Sequence, residues 1–372
     1  MTMTIDDALP GGNIIVQSQS GRVAILAPDL RDTSSKWFYW KFRARFSEPG
    51  RYVFRFAPWP AMGARGPAVS ADQGRTWQWL GTDAVDFATE SFTYDCPAAG
   101  EERWFCVCIP YLQTDWERFT ASIPTGAATM AELCRSRQNR PVECLSIGHP
   151  DATRRIFLSS RHHAQESMAT FTLEGFLREV MEHPDDFADF FIFAVPFIDK
   201  DGVENGDQGK NRQPHDHARD YGSKPIYPEV KAVIDQINQR RFDLILDLHC
   251  PWLRGGPTNE TVYFVGTYPP EAQQGLEEFS RLLAEEAPPD APHFPADNLP
   301  YGTGWNTAEN YTQGMPLPFW ANNCCDWKPQ GISVEIPFAN LRELTFRPAN
   351  AINLGRAFAR AARRFLRQQR PR

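Results

Sequence analysis

The sequence lacks the features that mark several classes of protein. Its eight cysteines form no CxxC pair and show no framework spacing, so we expect reduced core thiols rather than a disulfide framework. The longest apolar run, residues 187–198, is interrupted by Asp189 and Pro196 and is shorter than the ~20 residues that cross a bilayer. No Lys/Arg run dominates a segment and the formal net charge is −7, so we expect neither nucleic acid nor a membrane as a partner.

The first residues also lack the basic-then-apolar order of an export signal. They carry Asp6 and Asp7 instead, and we therefore expect a cytoplasmic protein. A chain of 372 residues with 42% hydrophobic and 13% aromatic residues has the composition of a folded protein that is longer than a usual single domain.

A shift in tryptophan content separates the front of the chain from the rest. Seven of the eleven tryptophans lie before residue 120. In that part, residues 37–46, 51–56 and 104–109 are rich in aromatic and β-branched residues and are separated by Gly and Pro turns, which is typical of strands. We predict an antiparallel, aromatic-rich β-sandwich domain over residues 1–112.

Beyond residue 112 the pattern changes to strands that alternate with helices. Helical spacing covers residues 167–182 and 351–369, and continuous apolar runs of the buried-strand type cover residues 156–159, 190–195, 244–248, 262–265 and 332–336. This alternation predicts an α/β domain over residues 113–372, with a mostly parallel or mixed sheet and helices on both faces. The polar stretch 199–224 is too long for a simple connection, so it is either functional or disordered.

Candidate metal ligands follow two of the predicted strands. His163 and Glu166 come directly after the strand at 156–159, and His249 ends the strand at 244–248. Ligands bind at the carboxyl ends of strands in α/β sheets, and two His with one Glu and an open fourth position form a known catalytic zinc set. The alternatives are a solvated helix start for Glu166 and a satisfied core histidine for His249, and His162 rivals His163 as the first ligand.

Glu335 places a carboxylate inside the apolar strand at 332–336. A buried charge is costly unless it meets a metal, a partner or a reacting group, so Glu335 is a candidate general base; a structural salt bridge is the alternative. In the polar stretch, Arg212 and Arg219 carry planar guanidinium groups that can bind a carboxylate or a carbonyl. The alternative is that this stretch is a solvated mobile loop. The pair His215 and His217 could bind a metal by itself, but no other ligand motif lies nearby.

Taken in order, these motifs resemble one enzyme family. HxxE at 163–166, the Asp201-Gly202 pair, DxxRD at 216–220, DLH at 247–249 and the strand Glu335 are similar to the motifs of the zinc metallocarboxypeptidases. The aromatic front part, with the runs that begin at Trp37, Trp77 and Ile109, looks like that of the cytosolic carboxypeptidase branch.

The resemblance implies a set of roles. It implies one zinc ion per chain, held by His163, Glu166 and His249, with Glu335 as the catalytic base and acid. It further implies that Arg219 binds the terminal carboxylate of the substrate, Arg212 polarises the scissile carbonyl, Asp216 orients the first His ligand from behind, and Tyr311 is the candidate for the tyrosine that closes over substrate, with a core or surface role as the alternative.

One departure from the family pattern concerns the substrate clamp. Ala218 precedes Arg219 where the family usually has Asn, so either Asn211 and Arg212 supply the pair in another register or recognition is relaxed. The implied function is hydrolysis of the C-terminal peptide bond of peptides or protein tails. The alternatives are a zinc deacylase or amidase that acts on N-acyl amino acids or cell-wall peptides, and a non-catalytic binding protein.

Overall fold

The front of the chain folds into two facing β-sheets. The computed structural model describes residues 2–56, 60–256 and 258–369. The strands of the front part are β1 (Met3–Asp6), β2 (Ile15–Ser20), β3 (Val23–Ala27), β4 (Lys41–Phe46), β5 (Gly50–Phe56), β6 (Ala68–Ser70), β7 (Gln78–Trp79), β8 (Val85–Asp86), β9 (Ser91–Cys96) and β10 (Glu102–Cys106). They form two five-stranded sheets, in the orders β1-β4-β10-β6-β7 and β2-β3-β5-β9-β8.

Aromatic rings fill the space between these two sheets. Phe42 on one sheet lies 5.4 Å from Phe54 on the other, and Phe105 lies 5.3 Å from Phe92, measured between ring centroids. The aromatic runs of the sequence therefore form a sandwich core, as expected from inward-facing alternate residues.

One pair of strands departs from the predicted antiparallel arrangement. β3 and β5 pair in parallel, because the chain between them crosses to the opposite sheet to form β4 and then returns in the original direction. Parallel neighbours require such a crossover connection, and the sequence pattern does not show it.

The rest of the chain forms a seven-stranded sheet with helices. Its strands are β11 (Thr129–Arg135), β12 (Pro141–Ile147), β13 (Arg154–Ser160), β14 (Phe190–Val195), β15 (Leu244–His249), β16 (Tyr263–Val265) and β17 (Gln330–Glu335), followed by a small hairpin of β18 (Asn340–Leu341) and β19 (Leu344–Thr345). Its helices are α1 (Gln113–Ala121), α2 (Ser167–Glu182), α3 (Lys200–Asn205), α4 (Pro228–Arg240), α5 (Pro270–Glu286), α6 (Leu317–Cys324) and α7 (Pro348–Gln368).

The predicted mixed sheet is confirmed. The strand order is β11-β12-β14-β13-β15-β17-β16, with β14, β13, β15 and β17 parallel and both edges antiparallel. In β13, Ile156 and Leu158 face the core shared with α2, α5 and α7, whereas Phe157 faces the core shared with α4 and α6. Helices therefore cover both faces, as the buried apolar strands predicted.

Two helices on one face approach each other closely. A Cβ atom at Gly355 of α7 would lie 2.0 Å from the carbonyl oxygen of Thr172 in α2, so only glycine fits at this crossing. Buried residues of both the front part and the seven-stranded sheet belong to one continuous hydrophobic core. The domain boundary at residue 112 stays a prediction.

The eight cysteines are free thiols, including the adjacent Cys324 and Cys325. Within the described residues, no helix combines the length and apolar character that a membrane span requires.

Candidate active site and metal centre

Three side chains meet at the carboxyl edge of the central parallel strands. His163 and Glu166 lie in the turn between β13 and α2, and His249 is the last residue of β15. The Nδ1 atom of His163 lies 2.7 Å from Oε1 of Glu166, and Nδ1 of His249 lies 2.8 Å from Oε2. All three residues are buried, and their candidate ligand atoms lie within 4.8 Å of one another.

Two carboxylates lie behind the two imidazole rings. Nε2 of His249 lies 2.9 Å from Oδ2 of Asp247, and Nε2 of His163 lies 3.7 Å from Oδ1 of Asp216. Each ring therefore points its Nδ1 toward Glu166. Carboxylates behind His ligands fix the tautomer and ring orientation at metal sites, so this donor set fits a zinc ion.

The electrostatics keep Glu166 ionised. Burial alone would raise its pKa, but His163 and His249 outweigh burial and hold the pKa of Glu166 well below its usual value. The pKa of Asp247 is lowered in the same way, against the effect of burial, by His162 and His249. The pKa of His249 is raised, against the effect of burial, by Asp247 and Glu166, so a cation that binds here would replace the proton on this imidazole.

His162, the rival ligand, lies behind this cluster. Its Nδ1 lies 2.8 Å from Oδ1 of Asp247, and its Nε2 lies 2.6 Å from the hydroxyl of Tyr221. Ser159 donates a hydrogen bond to the same Asp247 oxygen at 2.8 Å. His162 thus supports Asp247, which in turn orients His249.

Glu335 ends β17 and pairs with His249 across the strands. Its Oε2 atom is buried and has no hydrogen-bond partner among the described residues. Burial raises the pKa of Glu335 to about 7, a rise that His249 opposes and Glu166 adds to. A carboxyl group in such a state can both take up and release a proton near neutral pH.

A cavity of about 670 Å³ contains Glu335 and the three candidate ligands, a size typical of ligand sites. Arg219 and Tyr311 also line it. The guanidinium of Arg219 donates to the carbonyl of Asn310 at 3.1 Å and lies 5.6 Å from the ring centroid of Tyr311. Burial raises the pKa of Tyr311 to about 12.

Arg212 lies elsewhere and is not among the described residues that line the cavity. Its guanidinium contacts three carboxylates, those of Asp32 at 3.1 Å, Asp199 at 2.6 Å and Asp207 at 3.2 Å. Burial alone would lower the pKa of Arg212, but these carboxylates raise it above its usual value. The structure therefore does not bring Arg212 together with the other candidate site residues.

Lys210 is a cation in the cavity that the sequence motifs did not predict. Its Nζ atom lies 3.4 Å from Nδ1 of His163 and 5.3 Å from the ring centroid of Trp37, and it lines the cavity. Asn211 between Lys210 and Arg212 has a positive φ of 50°, a left-handed turn that sends the two cations to different places. The signal available in the sequence was a second cation two residues before Arg212.

His215 and His217 do not form a metal pair. His215 lies 2.7 Å from Asp220, whereas His217 stacks on Tyr227 with a centroid distance of 3.7 Å. The polar stretch that contains them is ordered, with α3 and a 3₁₀ turn at His217–Arg219.

The sequence is similar to several curated proteins, although no family model matches it. An uncharacterised protein of Zymomonas mobilis is 26% identical over 67% of this chain and 68% of its own length. Mouse cytosolic carboxypeptidase 3 is 25% identical over 50% of this chain, and mouse cytosolic carboxypeptidase 2 is 24% identical over 58%. The chain spans only 20% and 28% of the length of these two carboxypeptidases.

Solved structures match almost the whole chain. A metallo-carboxypeptidase of Burkholderia cenocepacia aligns with a TM-score of 0.78 and 19% identity, covering 99% of this chain and 100% of that protein. A metallo-carboxypeptidase of Pseudomonas aeruginosa, in complex with (2-guanidinoethylmercapto)succinic acid, aligns with the same TM-score and 18% identity over 99% and 100%. The chain has the metallo-carboxypeptidase fold. The resemblance to this family and to its cytosolic branch, predicted from the motifs, is confirmed.

Proposed function

We propose that this protein is a zinc-dependent carboxypeptidase that hydrolyses the C-terminal peptide bond of peptides or protein tails. One observation carries the proposal: the side chains of His163, Glu166 and His249 converge in the same cavity as Glu335 and Arg219. Hydrolysis of a C-terminal peptide bond needs a set of metal ligands, a group that transfers a proton, and a fixed cation that binds the terminal carboxylate.

His163, Glu166 and His249 would hold the zinc ion. When bound, zinc supplies a Lewis acid that polarises a carbonyl group and lowers the pKa of water. Asp216 and Asp247 lie behind the imidazoles of His163 and His249 and orient them, so that Nδ1 of each ring faces the position of the metal. The protein contributes the orientation of these ligands, which limits the reorganisation needed during the reaction.

Glu335 carries the proton in the proposed mechanism. Its buried carboxyl group, with the pKa raised to about 7, accepts a proton from the attacking water and donates it to the nitrogen of the leaving amine. The same group serves both steps, because a pKa near the working pH allows protonation and deprotonation at similar cost.

Two cations have separate roles toward the substrate. Arg219 binds the terminal carboxylate through its planar fork, and Tyr311, whose ring lies beside the guanidinium, covers the bound end. Lys210, next to His163, donates to the oxygen of the scissile carbonyl as negative charge develops there. Lys210 thereby takes the role that the family resemblance implied for Arg212. The cytoplasmic location stays a prediction.

The test compares free-acid and C-terminally amidated peptides of one sequence, after metal analysis of the purified protein. We expect about one zinc per chain and cleavage of the free acid on the order of 100-fold faster than the amide, because amidation leaves Arg219 without its charged partner. Arg219→Lys should narrow that preference, since an ammonium group cannot reproduce the fork. Equal cleavage of both peptides would instead favour a deacylase or amidase.

A further inference from the structure

The cavity continues beyond Glu335 between two strands. Along β17, Gly331, Ser333 and Glu335 all line it, as expected for alternate residues on one face of a strand. From Glu335 to Gly331 this face extends about 13 Å, at ~3.3 Å per residue.

The neighbouring strand contributes the opposite side of this extension. Tyr263, Val265 and Thr267 also alternate and line the cavity. The register places Tyr263 beside Glu335 and Val265 beside Ser333. Two residues away from Glu335, the extension therefore has the methyl groups of Val265 beside the hydroxyl of Ser333.

A buried amide links the two sides at the far end. Nδ2 of Asn322 donates to the carbonyl of Gly331 at 3.0 Å and to the hydroxyl of Thr267 at 3.1 Å, so these two residues lie side by side. Pro318 and Phe319 of α6 complete the wall. We call this space, bounded by Val265, Thr267, Gly331 and Ser333 and closed by α6, the inner cleft.

Charge is absent from the inner cleft among the described residues. The charged side chains of the cavity belong to the three candidate metal ligands and to Lys210, Asp216, Arg219, Glu309 and Glu335. Lys210 lies against His163, and the exposed Glu309 accepts a hydrogen bond from Thr307 at 2.6 Å. The inner cleft itself offers hydroxyl, aliphatic and aromatic groups.

We infer that the inner cleft receives the side chain of the substrate's C-terminal residue and selects an uncharged one. The inference rests on the proposed carboxypeptidase function. With the terminal carboxylate on Arg219 and the scissile carbonyl near the ligand cluster, the cleft beyond Glu335 is the space left for that side chain. An ionised side chain there would be buried without a partner, which is strongly unfavourable.

The first experiment measures kcat/KM of the zinc-loaded enzyme on N-blocked peptides that differ only in the last residue, namely Leu, Phe, Gln, Glu, Lys and Arg. The inference requires the uncharged residues to exceed every charged one by at least about 10-fold, the scale of one unpaired buried polar group. A charged residue that equals or exceeds the uncharged ones overturns the inference but leaves the proposed function intact. Cleavage of none of the free acids overturns both.

The second experiment changes the charge of the inner cleft. Ser333→Asp should raise the ratio of kcat/KM for Lys-terminal over Leu-terminal peptide by about 10-fold or more, because the new carboxylate pairs with the ammonium group. Ser333→Asn introduces a side chain of the same shape as Asp but without charge. It is the matched control and should leave the ratio within about twofold of the wild-type value.

The ratio is the readout because residue 333 lies on the same strand face as Glu335, so a carboxylate there can slow all substrates together. Inhibition by free lysine, measured against Leu-terminal peptide, should strengthen in Ser333→Asp alone. An unchanged ratio and unchanged lysine inhibition in folded Ser333→Asp would place the terminal side chain elsewhere and overturn the inference. Should the variant not fold, the wild-type panel still decides.

Discussion

Replacing Arg212 by Met tests whether this residue acts on substrate or holds the fold together. Its side chain is 13% exposed and contacts three carboxylates, from Asp32, Asp199 and Asp207. Removing one partner of a buried ion pair costs about 3–5 kcal/mol, because the remaining charge stays buried and unpaired. We therefore expect Arg212→Met to lower the free energy of unfolding by about this amount.

The assay is urea unfolding followed by tryptophan fluorescence, at pH 8 and at pH 5. The loss should be larger at pH 8, because at lower pH the abandoned carboxylates can take up protons and lose their charge. The matched control is Arg51→Met: Arg51 pairs with Asp95, but the two side chains are 69% and 67% exposed, so its removal should leave the unfolding midpoint almost unchanged.

One outcome would refute this reasoning. If Arg212→Met unfolds at the same urea concentration as the wild type and yet loses turnover, the guanidinium acts on the substrate, as the family resemblance implied. Loss of stability with turnover retained in the folded fraction would support the structural role.

Four further outcomes are expected. Glu335→Gln should keep zinc and the unfolding midpoint but lose about 10²–10⁴ in kcat; near-normal kcat would assign the proton transfer to another group. Lys210→Met should lower kcat/KM on the order of 10²-fold without loss of zinc, with partial recovery in Lys210→Arg, and an unaffected kcat/KM would exclude its contact with the carbonyl. His249→Ala should lower zinc content measured by atomic absorption, and full retention would remove His249 from the ligand set. Burial raises the pKa of Asp207 from 3.8 to about 7. Its contribution to the free energy of unfolding is therefore present below pH 3.8 and is lost as the pH rises toward 7. Asp207→Asn should make the free energy of unfolding in urea less dependent on pH in this range, and a pH profile identical to that of the wild type would contradict the shift.

The buried elements were predictable because burial leaves a periodic pattern. The predicted helix 167–182 and strand 190–195 coincide with α2 and β14, where every strand residue is buried and apolar. The strand β11 was not predicted, because five of its seven residues are exposed and its pattern does not alternate. The parallel pairing of β3 with β5 depends on a crossover through the other sheet and leaves no local signal.

The candidate site was predictable where a motif coincides with a strand end. His163, Glu166 and His249 follow β13 and β15, and the parallel sheet brings those ends together. The sequence could not show in this way which of Arg212 and Lys210 lines the cavity. Their positions depend on a left-handed turn at Asn211 and on Asp32, which is 180 residues from Arg212 in sequence.

The contacts of Asp32 have a consequence for any attempt to recombine this protein. Its carboxylate accepts hydrogen bonds from the backbone N–H groups of Gln208 at 2.9 Å and Gly209 at 2.8 Å, and Trp37 lies under Lys210. The turn that carries Lys210 is thus shaped by a loop of the front part. A chimera that takes its β-sandwich from another protein would need to keep residues 29–39 of this chain. The activity of such a chimera would show whether this loop still holds the turn of Lys210 in place.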